Sequence, residues 1–178
     1  GGVGTAALNK MLQAALNPAA PDKKERAFGD IIFREGDRVM QIRNNYDILW
    51  KRCDGLGAGT GIFNGDIGTI ARIDFEAELV TIDFDDRRAE YSFDMLEIAY
   101  AITVHKSQGS EYRAVILSAF SGSQLLLTRS VLYTAITRAR ELFIIVGNEE
   151  VIAAMTRNDR QQRRYSGLKL RLEQGEPS

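Results

Sequence analysis

Two stretches of the chain hold residue types able to do chemistry. Residues 103–111 read Thr-Val-His-Lys-Ser-Gln-Gly-Ser-Glu and contain the only histidine, His105. Thr103, His105, Lys106, Ser107 and Gln108 offer hydroxyl, imidazole, ammonium and amide groups, the usual partners of phosphate oxygens and sugars. Gly109 lets a backbone approach a ligand closely, and Glu111 is an acceptor suited to a ribose hydroxyl. A strand end with a solvated lysine would account for His105 and Lys106 alone. The six consecutive polar or turn-forming residues from Lys106 to Glu111 exceed what such an exit needs. The second stretch is Ser-Val-Leu-Tyr-Thr-Ala-Ile-Thr-Arg-Ala-Arg-Glu, residues 130–141. On a helix, Thr134, Thr137, Arg138 and Glu141 share a polar side, while Val131, Leu132, Ala135 and Ile136 bury the other. Arg138 then presents a planar, permanently charged fork suited to phosphate. An exposed helix face with Arg138 paired to Glu141 is the simpler alternative.

Composition narrows the chemistry. One cysteine, Cys53, and one histidine leave neither a disulfide framework nor a Cys/His zinc site, so no metal ligand is assigned. A length of 178 residues suits one or two domains. No apolar run is long enough to span a bilayer and no signal peptide opens the chain, so a cytoplasmic, membrane-free location is expected. The net charge of −1 conceals an asymmetry. Residues 33–98 carry 8 Lys/Arg against 14 Asp/Glu, a balance of −6, and the rest carry 15 against 10, or +5. Neither value makes nucleic-acid binding a matter of composition.

Three kinds of element must position these residues. Thr5 is placed to cap a helix with Leu8, Leu12, Ala15 and Leu16 on its apolar face, stopped at Asn17-Pro18. A start at Gly1-Gly2 leading straight into this helix suggests a piece of a longer polypeptide. Residues 19–32 read as a polar linker. From Phe33 to Leu96, period-two apolar residues broken by Glu35-Gly36-Asp37, Asn64-Gly65-Asp66 and Asp85-Asp86 predict about five short antiparallel strands. They make an SH3-sized barrel; residues 46–61 within it read as a long loop. Beyond it, residues 99–105, 114–120 and 141–147 read as strands buried on both faces of a parallel sheet, with helices at 130–141 and 149–157. The fold class is α/β with an inserted small β-barrel, and residues 103–111 fall at the carboxyl edge of the sheet, where such folds bind ligands.

Residues 103–111, followed some twenty residues later by Leu-Tyr-Thr-Ala-Ile-Thr-Arg-Ala-Arg, strongly resemble motifs V and VI of superfamily-1 DNA helicases. The leading helix and the SH3-like insertion resemble the RecD-like branch, and the similarity extends over nearly the whole chain, to the tail Arg163–Leu172. The resemblance implies the second RecA-like motor domain, incomplete, formed by residues 1–32 and 97–178, with an SH3-like barrel inserted at 33–96. It implies that Thr103 and His105 contact the DNA backbone and that Lys106, Ser107 and Gln108 shape the same loop. Gly109 and Glu111 would face the nucleotide, and Arg138 would be the arginine finger reaching a γ-phosphate. ATP and Mg2+ are the implied cofactors. The implied partners are single-stranded DNA, the first RecA-like domain of the same polypeptide, and recombination or nuclease subunits such as those of exodeoxyribonuclease V. The implied activity is ATP-dependent 5′-to-3′ unwinding in recombination, repair or conjugation.

The sequence contains no G-x-x-x-x-G-K-[ST] phosphate cradle and no Walker-B-like strand ending in paired acids. The isolated chain is therefore expected to be inactive as an ATPase. On the acidic barrel, Arg34, Arg38, Arg43, Lys51 and Arg52 are the residues available as a local DNA patch, and Arg160, Arg163 and Arg164 are further candidates in the tail. A reading of another class is a non-catalytic nucleic-acid- or protein-binding module in which the barrel is the working part.

Overall fold

A computed structural model describes residues 4–120 and 127–159. The tail arginines and residues 160–178 lie outside the described residues. The chain divides into two compact units, residues 1–112 and 113–178.

The first unit opens with helix α1 (Thr5–Leu16), ended by Asn17 ahead of Pro18. Its N-cap is Gly4 rather than Thr5, with no side-chain cap. No residue of the helix is fully buried, and Met11 and Leu16 are largely exposed. The expected apolar face is therefore not what fastens it. Three amide side chains one turn apart, Asn9, Gln13 and Asn17, do so instead, through bonds described below.

The stretch expected to be a linker folds in part as a hairpin, β1 (Glu25–Phe28) against β2 (Ile31–Arg34), with Phe28 opposite Ile31. Gly29 makes that turn possible, at φ +59°. Seven further strands follow: β3 (Arg38–Gln41), β4 (Asn45–Arg52), β5 (Ala58–Ile62), β6 (Ile67–Asp74), β7 (Leu79–Phe84), β8 (Arg87–Tyr91) and β9 (Leu96–Ile98). They form one sheet in the order β5-β4-β8-β7-β6-β3-β9, antiparallel throughout. The region expected to be a long loop is thus the hairpin β4–β5, and exposed Cys53 lies at its turn. Alternate residues from distant strands, among them Val39, Ile62, Ile70, Val80, Ile82, Phe84, Ala89 and Leu96, meet in one buried cluster with Phe33 and Phe93. Each such Ile, Val or Phe withdrawn from water stabilises the unit by about 1.5–3 kcal/mol. Trp50 packs at the edge of this core, with the Arg87 guanidinium 5.7 Å from its ring centre.

The basic residues expected to form a patch on the barrel are not equivalent. Arg34 is buried, bonded to the Asn17 carbonyl and paired with Glu25, and Arg52 is held between Asp54 and Asp86. Arg34 consequently offers no charge to a surface ligand.

The second unit contains β10 (Tyr112–Ala119, from its second residue), α2 (Arg129–Ile136), β11 (Ala139–Gly147) and α3 (Glu149–Arg157). Arg113 reaches Glu141 at the start of both strands, at 3.0 Å, and the Ala119 carbonyl accepts the Asn148 N–H at their end, at 3.1 Å. The two paired strands therefore run the same way, as a strand–helix–strand unit requires. Thr128 caps α2 by accepting the Val131 N–H, and Arg129 and Asn158 tie the start of α2 to the end of α3. Ala119, Leu132 and Met155 are its buried centre, with Leu117, Phe143 and Ile145 packed against them. The other face of the strands is not covered among the described residues: Ile116, Leu142, Ile144 and Val146 are exposed. The fold is mixed α/β with a large antiparallel sheet.

Two expectations about the chemical stretches change. Residues 99–105 are not a strand; the Asn9 amide takes both backbone groups of Ala101, and from Thr103 side-chain hydroxyls satisfy the backbone locally and compete with any ladder. The helix expected over 130–141 ends at Ile136, and Arg138 and Glu141 do not share its face. No described helix is long and apolar enough to cross a membrane.

Candidate functional site

The segment leading to the first site is held before the site begins. Asn9 of α1 donates to the carbonyls of Ile98 and Ala101, both at 2.9 Å, and accepts the Ala101 N–H at 2.6 Å. Tyr100 donates its hydroxyl to the Asp37 carboxylate at 3.0 Å. Burial, and then the Asp37 charge, push the Tyr100 phenol up to about 12.

From Thr103 the backbone coils through hydrogen bonds three or four residues apart. The Ser107 N–H reaches the Thr103 and Val104 carbonyls, the Gln108 N–H that of His105, and the Ser110 N–H that of Ser107. Thr103 closes the first turn by accepting the Lys106 N–H on its hydroxyl at 3.3 Å. Ser107 braces the inside: it is buried and donates to the Val104 carbonyl at 2.7 Å. Thr103, His105, Lys106 and Gln108 are thereby turned outward and exposed together. Lys106 pairs with Glu97, and both remain substantially exposed. Gly109 stands at φ +86°, with open space where a Cβ would project, and Glu111 is exposed just ahead of β10. The arrangement brings Thr103, His105, Lys106 and Gln108 to the surface of one turn and directs Ser107 inward.

Arg138 belongs to the other unit. Thr137 caps the end of α2, donating its hydroxyl to the Thr134 carbonyl at 3.0 Å, and Arg138 follows in the turn into β11. The guanidinium of Arg138 is half-buried, with Nη2 3.4 Å from the Thr137 hydroxyl. Glu141, the partner expected under the simpler alternative, instead accepts both Nε and Nη2 of Arg113. A half-buried arginine at a helix-to-strand turn is held in direction, and its planar, permanently charged fork suits a contact with an anionic group.

Among the described residues, no three His, Cys, Asp or Glu side chains come together as a metal site. Sequence reasoning missed Asn9, Asp37 and Tyr100. The spacing of Asn9, Gln13 and Asn17, four and then four residues, is a signal for Asn9 on one helix face but not for Asp37 or Tyr100.

The comparisons with known proteins bear on the same segments. Residues 8–84 match the family model described as the ATP-dependent RecD-like DNA helicase SH3 domain, and residues 98–146 that of the UvrD-like helicase C-terminal domain. The chain is 33% identical over 166 residues to the ATP-dependent RecD2 DNA helicase of Deinococcus radiodurans, covering 90% of this chain and 21% of that protein. It is 37% identical over 115 residues to the RecBCD enzyme subunit RecD of Mycolicibacterium smegmatis, covering 64% of this chain and 20% of the relative. The corresponding subunit of Buchnera aphidicola is 32% identical over 118 residues, covering 65% and 18%. The chain thus spans about a fifth of the length of the curated relatives it matches.

Proposed function

The chain belongs to the RecD-like DNA helicases, and from that premise we propose that it is the second, incomplete RecA-like motor domain of an ATP-dependent 5′-to-3′ helicase with its inserted barrel. The observation that carries the proposal is the exposed turn Thr103–Gln108, which groups a hydroxyl, an imidazole, an ammonium and an amide in one place. Such groups position a protein on a nucleic-acid backbone without reading its sequence. Thr103, His105 and Gln108 contact single-stranded DNA, Lys106 exchanges Glu97 for a phosphate, and Ser107 keeps the turn in shape. An exposed pair such as Lys106–Glu97 is worth roughly 0–1 kcal/mol, so a phosphate displaces the carboxylate at little cost.

In the same proposal, Gly109 and Glu111 face the nucleotide and Arg138 acts on the γ-phosphate. Phosphoryl transfer leaves charge on the equatorial oxygens, and an arginine supplied across the cleft offsets it. Arg138 is suited to an anionic group and Glu111 to a ribose hydroxyl. The two do not make a metal site, so the magnesium and the phosphate cradle belong to the first RecA-like domain of the same polypeptide. Opening and closing of the two motor domains then shifts the grip of Thr103 and His105 along the strand. Recombination or nuclease subunits are the partners proposed for the whole protein.

The test is the DNA-stimulated ATPase of the complete polypeptide that carries this segment, comparing Arg138→Ala with the unaltered protein. The expected result is a fall in kcat of about 10²- to 10³-fold with nucleotide binding largely kept. Unchanged turnover would remove Arg138 from the reaction and favour the binding-module reading. Direction is read separately, from the unwinding of duplexes tailed at one end or the other.

A further inference from the structure

The Asp37 carboxylate is buried and its acceptor positions are taken from three directions. Oδ2 accepts the Arg34 N–H at 2.8 Å and the Gln13 amide at 2.5 Å; Oδ1 accepts the Asn17 amide at 2.8 Å and the Tyr100 hydroxyl at 3.0 Å. Its own backbone carbonyl accepts the Ile70 N–H from β6, at 2.9 Å. One side chain therefore joins α1, the β2–β3 turn and the segment leading to Thr103. Asn9, on the same face of α1 as Gln13 and Asn17, grips that segment at Ile98 and Ala101. All of these residues lie within the first unit.

The turn they precede has no ladder of its own. Its internal bonds fix its shape but not its place, and the exposed Lys106–Glu97 pair contributes little to either. Its place is set upstream, where Tyr100 and Ala101 are fastened to Asp37 and Asn9. We propose that Asn9, Asp37 and Tyr100 are positioning residues that register the Thr103–Gln108 turn against the barrel, so that the grip on DNA depends on this polar seam. The inference rests on the reading that the turn meets DNA. It adds that α1 and the barrel are the frame from which the turn is held, although none of the three side chains touches the strand. A misplacement of about 1 Å at such a contact is enough to weaken it substantially.

The test uses the complete polypeptide and titrates single-stranded oligonucleotide in the steady-state ATPase. Tyr100→Phe removes one hydroxyl and keeps the ring; Asn9→Ala removes the second attachment. Each is expected to raise the DNA concentration for half-maximal stimulation by about fivefold to tenfold, with the maximal rate changed by less than about twofold. The two together are expected to give less than the product of the single effects, because both release the same segment. Thr103→Ala and His105→Ala are measured alongside. If these two weaken DNA dependence and Tyr100→Phe and Asn9→Ala lower only the melting temperature, the seam is structural and the inference falls while the DNA-contact reading stands. If Thr103→Ala and His105→Ala leave DNA dependence unaltered, that reading falls and takes the inference with it. Should Asn9→Ala fail to fold, Tyr100→Phe alone decides.

Discussion

At the scale of single residues, the chemistry depends on which side chains the backbone leaves outward. Ser107 and its neighbours look alike in the sequence, yet Ser107 is turned in and bonded to Val104 while Thr103, His105 and Gln108 are turned out. Ser107→Ala is accordingly expected to act on the turn itself. It removes a buried donor and leaves the Val104 carbonyl with one partner fewer, at a cost of about 1 kcal/mol, measurable by denaturant titration. Gly147 is a sharper case: a Cβ there would stand 1.9 Å from the Ala119 carbonyl oxygen. The clash is with backbone, which cannot swing aside as a side chain would. Gly147→Ala is expected to destabilise the second unit by roughly 1–3 kcal/mol or more, seen as an earlier unfolding transition of that unit. The polar character of residues 103–111 was legible from residue types alone. The division of labour within it was not, because it depends on where hydroxyls find carbonyls.

Among the elements, boundaries followed local signals where nothing distant intervened. Asn17-Pro18 ended α1 as its spacing required, and Glu149 and Glu150 sit in the first turn of α3, where the helix dipole favours them. The errors have specific causes. Residues 25–34 contain a Gly29-Asp30 turn between two short runs, but the surrounding charges made them resemble a linker. The β-branched run before His105 suggested a strand, and the hydroxyls of Thr103 and Ser107 bonded the backbone locally instead. The Asp37 seam was beyond reach because its partners lie up to 63 residues away in sequence. Thr128 gives an element-level prediction: Thr128→Ala removes the cap of α2 and is expected to cost about 1 kcal/mol, read from the denaturation midpoint.

For the whole molecule, two expectations follow. The isolated chain, with neither phosphate cradle nor metal site in what is described, is expected to show only background ATPase with or without single-stranded DNA. Robust turnover would overturn the motor-domain assignment. Alkaline stability is the other. Tyr100 is held up to about 12 by burial and Asp37, and Tyr91 is held higher still by burial and then Asp66, against about 10 when unfolded. The folded state therefore binds more protons than the unfolded state above pH 10. The stabilisation is complete below pH 10 and is lost as pH rises towards 12 and beyond. Both tyrosines are expected to ionise late in an ultraviolet titration of the phenolate band, and Tyr100→Phe should remove one late step.

Trp50 is the only tryptophan in the chain, and it packs at the edge of the barrel core beside Arg87. Intrinsic fluorescence excited at the indole band is therefore a report from the first unit alone. Loss of α2 and α3, as after Gly147→Ala, has to be followed by circular dichroism, and disagreement between the two signals would itself measure how independently the halves come apart.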